Sequence, residues 1–94
     1  MDSRPSIELL ESTHTFPGTY QIKAIGAADD DFTGRVIAAA RTELASPEDL
    51  EHSIRATRGG RHVAVTLKLS VQTPEQVRAI YARLHELEGI TILL

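Results

Sequence analysis

The sequence has 94 residues, 24% charged and 41% hydrophobic, a make-up that suits one small globular domain. Ten Lys and Arg against 13 Asp and Glu give a formal net charge of −3, which speaks against general binding to a phosphate backbone, since that needs a basic face to displace counterions. The absence of cysteine excludes disulfides, thiolate nucleophiles and thiolate metal sites together.

A domain of this size buries roughly 60 to 65% of its unfolded surface, so its stability margin is thin and an exposed sheet face would invite a partner. No apolar run approaches the roughly 20 residues needed to cross a bilayer. The opening Met-Asp-Ser-Arg-Pro lacks the basic start and apolar core of a signal peptide. A cytoplasmic protein is expected. No internal repeat or low-complexity tract is present, and no motif asks for a cofactor.

Residues 1–17 carry Pro5, Ser12, Thr13, Thr15 and Pro17 around a short apolar patch of Ile7, Leu9 and Leu10. They read as a flexible N-terminal segment with one helical turn over residues 6–11. Residues 18–94 then form a single domain. Alternation at Tyr20, Ile22 and Ala24, with Ile25 on the opposite side, predicts a first strand over residues 19–27.

Gly26 ends that strand, and Asp29, Asp30 and Asp31 lead into Phe32, Val36, Ile37, Ala40 and Leu44, the spacing of one helical stripe. The aspartates suit a helix start: one can cap backbone N–H groups, and all oppose the positive end of the helix dipole. Gly34 costs such a helix about 1 kcal/mol relative to Ala, which asks for a packing reason. Ser46-Pro47-Glu48-Asp49 breaks the helix.

Weak alternation over residues 50–58, with His52, Ile54 and Ala56 on one side, predicts an edge strand, and Gly59-Gly60 a tight antiparallel hairpin turn. Residues 61–72 are the strongest signal in the chain. Val63, Val65, Leu67, Leu69 and Val71 alternate with His62, Ala64, Thr66, Lys68 and Ser70, the period-two pattern of a half-buried strand. Burying those aliphatic side chains contributes on the order of 7 to 15 kcal/mol as an upper estimate, provided other elements cover them.

Thr73 as N-cap, Pro74 at the first helical position and Gln76 in capping-box spacing start a second long helix. Its stripe is Val77, Ile80, Tyr81 and Leu84, with Leu87 at the end, before Gly89 and a short final strand over residues 90–94. The βαββαβ order predicts an α+β, ferredoxin-like sandwich: a four-stranded antiparallel sheet in the order 4-1-3-2 with two helices on one face.

Phe16-Pro17, the run Tyr-Gln-Ile-Lys-Ala-Ile-Gly at residues 20–26, Phe32 with Val36, and Glu75-Gln76-Val77 followed by Ile80-Tyr81 and Leu84 together resemble the YbeD-like family of small bacterial proteins of unknown function. The similarity runs from about residue 9 to residue 94. It departs at residues 57–62, where Thr-Arg-Gly-Gly-Arg-His stands in place of the family's usual pair of serines, Gly and Tyr. The resemblance implies a ferredoxin-like fold similar to ACT-type regulatory domains and carries no established activity.

For function, the loop after the first strand is the leading ligand candidate, with Gly26, Asp29, Asp30, Asp31 and Phe32. Its carboxylates could accept hydrogen bonds from the ammonium group of an amino-acid-like molecule, although helix capping explains the same residues. An acylphosphatase-type site is ruled out, because three carboxylates would repel a phosphate. His14, His52, His62 and His85 lack metal-ligand spacing. An RNA recognition motif needs aromatic residues on the third strand, which has none.

Arg58, Arg61, His62 and Lys68, with Arg55 nearby, form a candidate interaction surface on the hairpin. Ile25, Leu93, Ala64 and Thr66 are expected on the open sheet face, suited to a homodimer or another protein partner. The sequence therefore reads as a non-enzymatic regulatory or protein-interaction module. A small-molecule sensor is the alternative.

Overall fold

Alternating aliphatic residues need a roof on one side only, and that asymmetry organises the computed structural model, which describes residues 2–57 and 59–94. In chain order the elements are α1 (Ile7–Thr13), β1 (Gly18–Ala27), α2 (Phe32–Arg41), β2 (Leu50–Ala56), β3 (His62–Val71), α3 (Pro74–His85) and β4 (Ile90–Leu93), with a 3-10 turn at Pro47–Asp49 before β2. The strands form a four-stranded antiparallel sheet in the order β2-β3-β1-β4. Read from its other edge, this is the expected 4-1-3-2. The architecture is α+β, an open sheet with helices packed on one side.

β3 is central, and its five alternating side chains, Val63, Val65, Leu67, Leu69 and Val71, are all buried. β1 lies beside it and places Ile22 opposite Leu67 and Ala24 opposite Val65 on the same face. The roof comes from Phe32, Val36 and Ala40 of α2 and from Val77, Ile80, Tyr81 and Leu84 of α3. All of these belong to one contiguous core, with Ile37, Leu44 and Leu87 partly buried at its margin.

The start of α3 follows its sequence signals with one difference. The Thr73 hydroxyl accepts from the Gln76 N–H at 3.1 Å. Gln76, however, does not close a capping box on Thr73. Its Oε1 accepts from the Gln72 N–H at 2.7 Å, and its Nε2 donates to the Glu43 carbonyl at 2.8 Å. One side chain thus satisfies the helix entry and fastens the chain just beyond α2 to α3, which sequence spacing alone does not reveal.

The N-terminal segment holds more structure than the single expected turn. Ser6 caps α1 by accepting from the Leu9 N–H at 3.1 Å, and α1 packs against α3. Leu10 is only 1% exposed and joins the core, while its neighbour Leu9 is 53% exposed. Arg78 of α3 donates to the Pro5 carbonyl at 3.0 Å and pairs with Asp2. The Arg4 guanidinium beside Asp2, helped by Arg78, holds that carboxyl well below the usual carboxylate range.

One placement on the sheet corrects the sequence reading. Leu93 was expected on the open face, but it pairs with Ala24 and packs against the core. Ile92, which pairs with Ile25, and Leu94, whose N–H donates to the Lys23 carbonyl at 2.9 Å, lie on the open side instead. A register shift between Ile25 and Gly26 accounts for the difference: β1 runs from Ile92 to Ile90 in one step, which inverts the face parity inferred from simple alternation. The edge strand β2 ends at Ala56, shorter than the expected residues 50–58.

If α1 is part of the folded unit, Leu10→Ala costs about 2 to 5 kcal/mol and Leu9→Ala stays within about 0.5 kcal/mol, read from urea unfolding midpoints. Equal, small effects for both would show that the segment adds nothing to the core.

Candidate functional site

The loop between β1 and α2 takes its shape from backbone geometry. Asp30 and Asp31 both adopt left-handed backbone, with φ of 53° and 52°, a region that Asp tolerates better than most residues. Asp31 occupies the N-cap position of α2 but makes no side-chain capping hydrogen bond, which corrects the expectation of a carboxylate cap. Backbone carbonyls serve instead: Asp29 O accepts from the Phe32 N–H at 3.1 Å and Asp31 O from the Arg35 N–H at 3.0 Å. The Asp31 carboxylate lies over the first turn, where a Cβ added at Gly34 would stand 2.3 Å from its Oδ2. That contact supplies the packing reason for the helical glycine.

The candidate ligand residues separate into two groups. Asp29, Asp30 and Asp31 are exposed, whereas Gly26 and Phe32 are buried. A Cβ at Gly26 would meet the Gly89 carbonyl at 2.3 Å and the Phe32 ring at 2.6 Å, so this glycine exists to let β4's entry and the α2 ring approach β1. A hollow of about 210 Å³ remains beside Ala28, Asp29, Asp31 and Thr33.

Arg35, which the sequence did not single out, ties this corner together. Its Nε donates to the Asp30 carbonyl and its Nη1 to the Glu88 carbonyl, both at 2.9 Å, and its guanidinium carbon lies 5.7 Å from the Phe32 ring centroid. The loop before α2 and the loop after α3 are thereby fixed to each other. An arginine at a helical position facing neither core nor neighbour in sequence gives no sign of such a role.

Of the described residues proposed on the hairpin, Arg61 and His62 lie at one end of β3 and Lys68 toward the other. Arg61 sits in the turn, with its carbonyl accepting from the Ala28 N–H at 2.9 Å, and His62 opens β3 opposite Ala27. Lys68 lies at the far end of β3 between Glu51 and Gln21, whereas Arg55 stands opposite Ala64. Four residues of strand separate Ala64 from Lys68, about 13 Å. Arg58 lies outside the described residues.

At the Lys68 end, the open face carries a groove of about 570 Å³ bounded by His14, Gln21, Glu48, Asp49, Glu51 and Lys68. The Ser46 hydroxyl beside Glu48 lowers that carboxyl. Behind the groove, Tyr20 points to the helix side, where its hydroxyl lies 3.2 Å from that of Tyr81 and the His14 ring centroid stands 4.6 Å from its own. Among the described residues no three His, Cys, Asp or Glu side chains gather in a geometry able to hold a metal ion.

Residues 11–94 match the family described as "Protein of unknown function (DUF493)". The chain belongs to this family. The UPF0250 protein of Shewanella piezotolerans (strain WP3 / JCM 13877) is 33% identical over 87 residues, spanning 93% of this chain and 92% of that protein. The UPF0250 protein of Shewanella frigidimarina (strain NCIMB 400) is 35% identical over 79 residues, spanning 84% and 88% respectively. The expected kinship with YbeD-like small bacterial proteins of unknown function is borne out. DUF493 membership assigns no activity, so the site must be read from its own chemistry.

Two outcomes follow for this DUF493 chain. Gly26→Ala lowers stability by about 1 to 3 kcal/mol, because its methyl group has no space between Gly89 and Phe32; thermal unfolding measures it. Burial, and then the Tyr20 hydroxyl, push the Tyr81 phenol up, so the fold favours the protonated form. Its stabilising contribution is complete below the unfolded phenol value of about 10 and is lost as pH rises beyond it. Tyr81→Phe therefore costs about 1 kcal/mol at neutral pH and flattens the alkaline loss of stability expected of the wild type, read from urea midpoints across pH.

Proposed function

We propose that the chain is a non-enzymatic regulatory or protein-interaction module of the cytoplasm, a ferredoxin-like, ACT-like sandwich that meets a protein partner through its open sheet face. The observation that carries this reading is an apolar strip crossing β3, β1 and β4. Ala64 stands opposite Ile25, Ile25 opposite Ile92, and Leu94 follows beside Lys23. Ile92 is 45% and Leu94 65% exposed. Large aliphatic side chains held side by side on a sheet face in water are what a partner would cover. His62 and Arg61 sit at one end of the strip and supply polar contacts at its rim.

A second reading has its own observation. The hollow next to Asp29 and Asp31 is small and anionic, which favours an amino-acid-like effector presenting an ammonium group. The two readings differ in what they respond to. A protein partner module captures its partner from source-cell lysate through the open face, and Ile25→Glu with Ile92→Glu abolishes capture while the variant keeps its fold. A sensor shows a rise in melting temperature and titration heat with one member of an amino-acid panel, lost in Asp29→Asn with Asp31→Asn. Capture unaffected by the double Glu variant, together with silence to the amino-acid panel, would contradict both.

A further inference from the structure

Charge is distributed unevenly between the two sides of the sheet. Of the 13 Asp and Glu residues, Glu51 alone falls within a strand, and the others lie in helices, loops and the N-terminal segment. The strands carry Lys23, Arg55 and Lys68. Register puts all three on the open face. Lys23 stands opposite Thr66, Arg55 opposite Ala64 and Lys68 opposite Gln21, on the flank of β3 that alternates away from its buried side chains. A chain of net charge −3 thus presents a sheet face with an excess of cations.

The cations differ in their surroundings. Lys68 has Glu51 beside it in register. Lys23 has Thr66 on one side and Leu94 on the other, and Arg55 has Ala64. Among the described residues neither Lys23 nor Arg55 takes part in an ion pair.

These two cations interlock with the aliphatic strip. One row across the sheet reads Arg55, Ala64, Ile25 and Ile92, and the next reads Ser53, Thr66, Lys23 and Leu94. A partner that covers Ile25, Ile92 and Leu94 therefore also takes water from the Lys23 ammonium. Burying a cation without a carboxylate is costly, so the partner must bring one. A second copy seated face to face does not meet that requirement, because it offers one strand carboxylate against three cations and sets like charges together.

The width of the strip suits a helix. β1 and β4, which hold the aliphatic residues, lie about 4.8 Å apart, and Arg55 stands two strand spacings, about 10 Å, from Ile25. A helix is about 10 to 12 Å across with its side chains. Laid on β1 and β4, it covers the strip with residues at i, i+3, i+4 and i+7, and its flank reaches Arg55.

We propose that the open face docks an amphipathic α-helix of a partner protein, whose apolar stripe covers Ile25, Ile92 and Leu94 and whose flanking carboxylates pair with Lys23 and Arg55. The proposal rests on the open-face reading and deepens it by naming the chemistry of the partner.

The test uses two fluorescein-labelled peptides of roughly 18 residues, about five helical turns, with the same leucine stripe and with flanks of glutamate or of lysine, matched for helicity by circular dichroism. Each is titrated with the full chain and followed by anisotropy. The glutamate peptide is expected to bind at least about tenfold more tightly than the lysine peptide, and to weaken as salt rises. Lys23→Glu removes most of that preference, and Ile92→Glu abolishes binding of the glutamate peptide while the variant keeps its circular dichroism spectrum. Equal binding of the two peptides, a preference for lysine, a preference unchanged in Lys23→Glu, or no binding of either peptide overturns the proposal. A single-stranded RNA oligonucleotide that binds more tightly than the glutamate peptide also overturns it. If the peptides bind alike and Ile92→Glu abolishes both, or if neither binds while capture through Ile25 and Ile92 persists, the acidic helix alone is wrong. If the glutamate peptide binds Ile92→Glu and Ile25→Glu with unchanged strength, the open-face reading is wrong with it.

Discussion

The covering of one side of β3 by two helices is the constraint on which everything else depends. Val63, Val65, Leu67, Leu69 and Val71 occupy one side of the central strand and lie in the same core as Phe32, Val36, Val77, Ile80 and Tyr81. Because side chains alternate along a strand, the decision to bury one flank commits the other to solvent or to a partner. The small chain spends its helices on a single layer. Its open face and free edges are therefore consequences of the core.

Much of this was legible before any coordinates. The period-two run of β3 and the helical stripes of α2 and α3 are long, regular signals, and each was placed with its buried residues identified. Thr73-Pro74 marked the start of α3, and Gly59-Gly60 the hairpin, because those residue types do local backbone work. Short or irregular signals fared worse. β4 is four residues long, and one irregularity in its register against β1 was enough to take Leu93 off the open face. α1 shows no long stripe, and the value of Leu10 comes from a contact distant in sequence.

The candidate site was legible in a different way. The three aspartates were visible as an unusual run, but their structural reason is tolerance of left-handed backbone at Asp30 and Asp31, with carbonyl oxygens doing the capping. Nothing local predicts that Arg35 reaches Glu88, or that Gly26 lies beneath both Gly89 and Phe32. Together these contacts weld the β1 to α2 loop to the α3 to β4 loop, leaving the carboxylates displayed on a firm base. The hairpin charges separate because strand geometry, not proximity in sequence, sets which residues meet.

The open face carries an aliphatic strip bordered by polar residues. Its placement depends on a core rigid enough to hold the sheet in register. Native-state hydrogen exchange measures that most directly, through the β3 amides. The account predicts that Val65 and Leu67 exchange only through global unfolding, at the free energy obtained from denaturant melts. Exchange at these amides well below that energy, with α2 and α3 still protected, would show that the helices are not anchored on β3 and would contradict the account at its base.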